Sequence, residues 1–240
     1  MNTPFMPFAV FMLGGLVGLW VHNYCSRFAE RILREVHQLY CEIYPQNPPH
    51  VVAQNALLKP LKCGHFSRYF FIFATFFTVC FYLIPEARAA LSFALYITLL
   101  WIISLLDWHY RLIPVALCQQ LMVLALICAY GQIIPLNVEQ SLLGIACGFV
   151  SFFLIYQGAK YYYRQEAFGR GDYWLIAGLA GFIPWQHLPL MIFIACVSAL
   201  IYAIRLKLRQ QANRFIPFAP FLCLGGLFTF CFNNVSIIRS

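Results

Sequence analysis

Apolar runs long enough to approach the thickness of a bilayer recur along this chain, and they restrict its fold more than any other feature. They fall at about 4–22, 69–84, 89–106, 112–130, 140–157, 172–185, 188–204 and 217–233. A hydrocarbon core of about 30 Å takes about 20 residues of helix to cross, and only closed backbone hydrogen bonding survives there. The expected class is an all-α polytopic membrane protein with about eight transmembrane helices. Composition agrees, with 62% of the 240 residues hydrophobic and 10% charged. A soluble domain carries about 25% charged residues.

Charge placement sets the expected orientation. Met1 to Trp20 lacks the basic front of a secretory signal, since the first cation is Arg27. It reads as a permanent first span with its N-terminus outside. Eight spans then put every lysine and arginine except Arg88 and Arg239 on the inner side, out of 16, as the positive-inside rule asks. The segment 172–204 decides the count. Pro184, Gln186, His187 and Pro189 break it in two, and fusing the halves would turn Arg205, Lys207, Arg209 and Arg214 outward. The net charge of +8 is thus a topology signal, and no nucleic-acid partner is expected.

Residues 23–68 form the one long polar segment. Phe28, Ile32, Val36, Leu39, Tyr40 and Ile43 recur at helical spacing, with Glu30/Arg34 and Arg31/Glu35 as i,i+4 pairs. This predicts an amphipathic helix lying on the membrane surface. Pro45, Pro48 and Pro49 end it, and a loop runs to Arg68. The expected organisation is a first region, 1–68, and a transmembrane domain, 69–240. Gly14/Gly18 and Gly144/Gly148 are close-packing pairs for helices.

The cysteines do not form a disulfide framework. Most lie within apolar runs, where Cys is a small hydrophobe. Cys25, Cys41 and Cys63 lie in or beside the polar segment, and no CxxC occurs. Cys63-Gly64-His65 with Cys41, His37 and His50 is poor spacing for zinc, so no metal is expected.

The chain has two aspartates, Asp107 and Asp172. Asp107 closes the third expected span and Asp172 opens the sixth, which places both at the inner face. Two neighbouring carboxylates share a proton and can activate water as a general acid–base pair. Helix-end partial charges favour Asp172 as mainly the base and Asp107 as mainly the acid. Gly169 and Gly171 flank Arg170 just before Asp172. Glycine there allows unusual backbone angles and a close approach by an extended substrate peptide. The structural alternative is that Asp172 is a helix N-cap and Asp107 snorkels into interfacial water. A proton-coupled transporter is a rival use of such carboxylates, but it calls for inverted repeats and midplane polar groups, which the sequence lacks.

Three stretches resemble the type 4 prepilin leader peptidases, a family of GxGD-class intramembrane aspartyl peptidases. They are Leu106-Asp107-Trp108-His109-Tyr110-Arg111-Leu112-Ile113-Pro114, Gly169-Arg170-Gly171-Asp172 with Leu175 and Ala177-Gly178-Leu179, and Arg214-Phe215-Ile216-Pro217-Phe218-Ala219-Pro220-Phe221. The resemblance implies cleavage of the basic leader of prepilins or pseudopilins, after a glycine, on the cytoplasmic side of the bacterial inner membrane. It assigns Asp107 and Asp172 to the two catalytic positions. A silent homologue that binds pilin-like chains without cutting them is the alternative within the family. The first 68 residues depart from the pattern: the double CxxC zinc motif is missing, and Gly18-Leu19-Trp20-Val21-His22-Asn23 only echoes the family's run there. The family's second activity, N-methylation of the new amino terminus, is associated with that part. S-adenosylmethionine is a cofactor here only if the methylase is retained.

Other polar residues near the two aspartates have interfacial readings. Arg111 marks the inner boundary, with a hold on a carboxylate or lipid phosphate as its alternative; His109 reads as an interfacial histidine rather than a proton relay, and Glu166 as a solvated loop residue rather than a third carboxylate. Arg170 suits either repulsion of a basic leader or contact with lipid headgroups. Tyr161-Tyr162-Tyr163 fits an aromatic belt.

Overall fold

A computed structural model describes residues 5–45, 58–164, 169–209 and 216–234. Among them are eight α-helices and no strand: α1 (Phe5–Ile43), α2 (Phe66–Leu83), α3 (Ala87–Tyr110), α4 (Val115–Tyr130), α5 (Val138–Tyr163), α6 (Arg170–Ala180), α7 (Leu188–Leu208) and α8 (Ala219–Asn233). A 3-10 turn, Trp185–His187, precedes α7. Each helix falls on one of the apolar runs. Five of them, α1, α2, α3, α5 and α7, are long and apolar enough to cross a membrane, and α4 and α8 are shorter apolar helices.

Two expectations change here. The surface helix predicted after the first span is not separate, because α1 runs unbroken for 39 residues, about 58 Å at 1.5 Å per residue. No proline or glycine lies between Leu19 and Ile43, and charged residues alone do not interrupt a helix. The predicted apolar stripe is still visible, with Val36, Leu39, Tyr40 and Ile43 exposed. Arg34 pairs with Glu30 at 3.5 Å, whereas Arg31 lies over the Tyr24 ring. Second, α6 is only 11 residues, about 16 Å long, so it does not span a bilayer on its own.

The chain packs as two units, Met1–Val79 and Cys80–Ser240, with the division falling inside α2. In the first unit Gly14, Gly15 and Gly18 bring α1 onto α2. A Cβ at Gly14 would lie 2.7 Å from Phe73 O and Phe77 Cβ, and one at Gly15 or Gly18 would overlap the Phe70 ring or Tyr69 O.

In the second unit α6 is the central helix. Leu175 through Ala180 are all buried, as expected of a helix apolar on every side. Its neighbours reach it through glycines. Gly144 and Gly148 of α5 meet Ala180 and Ile176, Gly178 of α6 meets Leu121 of α4, and Gly226 of α8 meets Leu179. Ser141 of α5 donates to Gly181 O at 2.8 Å, just past the end of α6. A helix enclosed by others need not reach both membrane faces, because its ends are satisfied by protein.

A pair of variants tests this packing. A Cβ at Gly144 would overlap Ala180 O, while one at Gly158, also in α5, meets nothing within 4 Å. Gly144→Ala is expected to destabilise by about 1–3 kcal/mol and Gly158→Ala to stabilise by about 0.4–1 kcal/mol. Thermal unfolding in detergent reads both. Shifts of the same sign and size would contradict the packing.

Candidate active site

Both aspartates lie in the second unit, Asp107 near the C-terminal end of α3 and Asp172 near the N-terminal end of α6. α3 carries Asp107 one turn before its C-terminus. The helix stops at Arg111, which takes a left-handed conformation (φ 55°, ψ 36°) and returns its N–H to Asp107 O at 2.9 Å. Leu112, Ile113 and Pro114 then turn the chain into α4. Pro114 is the N-cap of that helix, and the residue before a proline is biased away from helix.

Asp172 lies in the first turn of α6. Gly169 is the N-cap, so the capping role considered for Asp172 belongs to its neighbour. The two are tied together: Asp172 N–H donates to Gly169 O at 3.1 Å, and the Asp172 carboxylate receives a backbone hydrogen bond from Gly169.

The glycines act differently from expectation. Gly169 has ordinary extended angles (φ −67°, ψ 135°) and Gly171 is helical. What they supply is the lack of a Cβ. At Gly169 one would lie 3.0 Å from Asp172 Oδ2, and at Gly171 it would overlap Ile113 Cβ. Gly171 therefore brings the start of α6 against the loop that follows Asp107.

A third helix closes the arrangement. The backbone N–H of Ala219, first residue of α8, donates to Asp107 Oδ2 at 3.0 Å, across 112 residues of chain. The two carboxylates are buried, at 6% and 7% exposure, and Asp172 lies within electrostatic reach of Asp107. Cys118 of α4 lies near Asp172, and Cys223 of α8 lies near Asp107 while hydrogen-bonding Ser104 of α3. On the flank, Trp108 packs on Tyr202 of α7, which packs on Phe221 of α8.

The role of α8 removes the basis for dividing the carboxylates by helix ends. Asp172 sits at the N-terminus of its own helix, and Asp107 receives an amide from the N-terminus of α8. Both therefore meet positive partial charge. Ala219 stood within the third family-like stretch, but nothing in the sequence indicated that its backbone would reach Asp107. The same holds for Ser104, Cys118 and Cys223, which read only as apolar-run residues.

Of the other polar residues near the pair, Arg111 lies within electrostatic reach of Asp107. His109 is exposed and its ring meets Tyr110. Arg111 and Arg170 are exposed. Cys41 contacts His37 at 3.6 Å, and His65 contacts Ser67 at 2.9 Å. Among the described residues no group of three or more His, Cys, Asp or Glu side chains could hold a metal ion. Pro48, Pro49, His50, Glu166, Arg214, Phe215 and Arg239 lie outside the described residues.

Fold and site together define a helical, multi-pass membrane protein with two buried carboxylates at one end of its core. The sequence profile of the type IV leader peptidase family matches residues 94–204, a range that contains both aspartates. A prepilin leader peptidase/N-methyltransferase of Haemophilus influenzae is 35% identical over 220 residues, covering 92% of this chain and 94% of the relative. A type 4 prepilin-like proteins leader peptide-processing enzyme of Escherichia coli O78:H11 is 33% identical over 147 residues, 60% of this chain and 53% of its own length. The leader peptidase HopD of Salmonella typhimurium is 33% identical over 104 residues, 42% of this chain and 67% of its own length. No solved structure matches the chain. The chain belongs to the type IV leader peptidase family and is a peptidase.

Proposed function

We propose that this chain is an intramembrane aspartic endopeptidase that removes the basic leader from prepilins or pseudopilins, with Asp107 and Asp172 as the catalytic pair. The observation that carries the reading is the convergence of the chain's two aspartates, both buried, at the ends of α3 and α6. The pair holds one proton. One carboxylate takes a proton from water as the water oxygen attacks the scissile carbonyl carbon, and the other gives its proton to the carbonyl oxygen. In the resulting diol, the first carboxylate passes its proton to the amide nitrogen and the second recovers one from a hydroxyl. The C–N bond breaks, leaving a carboxyl on the leader and an amine on the mature chain. The pair then again holds one proton.

The bundle lies in the bacterial inner membrane with the N-terminus outside and the aspartates at the cytoplasmic face. The positive-inside distribution supports this arrangement. The short α6 is carried within the bundle. The partners are prepilin-like chains and the bilayer, and no nucleic acid.

N-terminal methylation with S-adenosylmethionine is a second activity favoured by one observation. The Haemophilus influenzae relative, whose name includes N-methyltransferase, matches nearly the whole chain, including much of the region before α2.

Membranes carrying the protein, incubated with a prepilin, test both activities. Mass spectrometry of the product is expected to show a new amino terminus directly after the leader glycine, and a 14-dalton increment reports a methyl group (about the mass of one CH₂, the unit used for side-chain transfer energies). Intact prepilin after incubation, in membranes where folded protein is present, would refute the proposal.

A further inference from the structure

An α-helix begins with backbone N–H groups that have no carbonyl one turn earlier to receive them. In α8 each of these donors is accounted for. Pro220 has no N–H. Phe221 and Leu222 both donate to Phe218 O, at 3.1 Å each. The N–H of Ala219 points out of the helix and donates to Asp107 Oδ2 at 3.0 Å. The bond is shielded from solvent, with Ala219 at 0% and Asp107 at 6% exposure.

We propose that the Ala219 backbone amide is a positioning group for Asp107. It commits Oδ2 and leaves Oδ1 as the oxygen that exchanges a proton during the reaction. The proposal rests on the reading of Asp107 as half of the catalytic pair.

The physical need for such a group is clear. The terminal torsion of an aspartate is soft and broadly populated, so a carboxyl with no fixed partner swings. One hydrogen bond from a backbone anchored in a helix removes that freedom. The donor also carries the positive end of the α8 dipole and bonds an ionisable acceptor, which makes it stronger than a neutral pair. The local sequence isolates the donor. Pro220, the residue after Ala219, has no N–H to compete for the carboxylate. One turn further along α8, Cys223 hydrogen-bonds Ser104, one turn before Asp107 on α3. The seam between α3 and α8 is thus held beyond the catalytic residue as well as at it.

An amide-to-ester exchange deletes the donor and also weakens the Phe218 carbonyl, which accepts from Phe221 and Leu222, so a control for that second change is needed. The full chain is made with lactic acid in place of Ala219, reconstituted in lipid nanodiscs and assayed with a prepilin. A matched control replaces Leu222 with its α-hydroxy analogue, which removes a donor from the same first turn of α8 that goes to Phe218 O. The 219 ester is expected to lower kcat about 10- to 100-fold, the loss typical of one hydrogen bond to a charged group, with KM changed by less than about twofold. The 222 ester is expected to keep kcat within about twofold of the parent. An unchanged kcat for the 219 ester, or equal losses for both esters, overturns the proposal. Asp107→Asn is run alongside. Full activity in that variant would instead sink the underlying assignment of Asp107, so the two failures are distinguishable.

Discussion

Asp172→Asn and Asp107→Asn are each expected to lower prepilin cleavage by about 10²- to 10⁴-fold, the range contributed by a positioned general acid or base. Asparagine has nearly the same shape, and its carbonyl oxygen still accepts an amide hydrogen bond. At position 107 it can keep the bond from Ala219, and at 172 the bond from Gly169. The fold is therefore retained while the exchangeable proton is lost. Thermal unfolding should occur no lower than in the parent, because an amide is cheaper to bury than a carboxylate that must ionise. The double variant should be no slower than the worse single one, since residues acting as a unit do not have additive effects. Initial rates of leader removal, normalised to folded protein, measure all of this. A single variant cleaving at the parental rate would leave the two-carboxylate mechanism without support. A silent pilin-binding homologue predicts no cleavage even by the parent, and a transporter predicts a defect in proton movement with cleavage irrelevant.

The helices were legible because apolar runs and their breakers act locally. Pro114, Pro184 and Pro189 each mark a boundary that the structure keeps, and the break after Ala180 falls where Gly181 and Pro184 end the run. What happens where no breaker stands was less legible. The change from apolar to charged near Arg27 suggested a second helix, but polarity changes what a helix faces without ending it, and α1 continues to Ile43. The length of α6 was hidden for a related reason. A run such as 172–185 reads the same whether lipid or other helices surround it, and the enclosing partners lie far away in sequence.

The candidate site divides in the same way. Side chains with unusual chemistry in an apolar chain are visible, so Asp107 and Asp172 were identified from sequence. Their supports are backbone and shape, which a sequence does not display. Ala219 contributes through an amide that almost every residue possesses, and only the convergence of α3 and α8 makes that amide specific. The glycines were located, but the unusual backbone angles expected of them are not what the structure uses. Flexibility is a property of glycine alone, whereas the requirement for no Cβ depends on what stands opposite.

That requirement gives the second large effect. Gly171→Ala places a Cβ over Ile113 Cβ, with Cγ2 at 3.1 Å and Cδ1 at 3.2 Å. Ile113 cannot readily retreat, because it is held between the left-handed cap at Arg111 and Pro114, the N-cap of α4. The start of α6 must then move away from the loop after Asp107 and carry Asp172 with it. A displacement of about 1 Å at reacting groups can cost about 10²-fold in rate, and a loss of that order in prepilin cleavage is expected. Gly169→Ala is milder, with about tenfold loss or less, since its extended backbone suits alanine and its Cβ meets only the Asp172 carboxylate at 3.0 Å. Rescue identifies the clash. Ile113→Ala keeps the offending Cβ and should restore nothing to Gly171→Ala, whereas Ile113→Gly removes it and should recover part of the rate. Parental cleavage by Gly171→Ala, or equal rescue by both changes at 113, would show that contact between this glycine and Ile113 does not set the distance between the two acids.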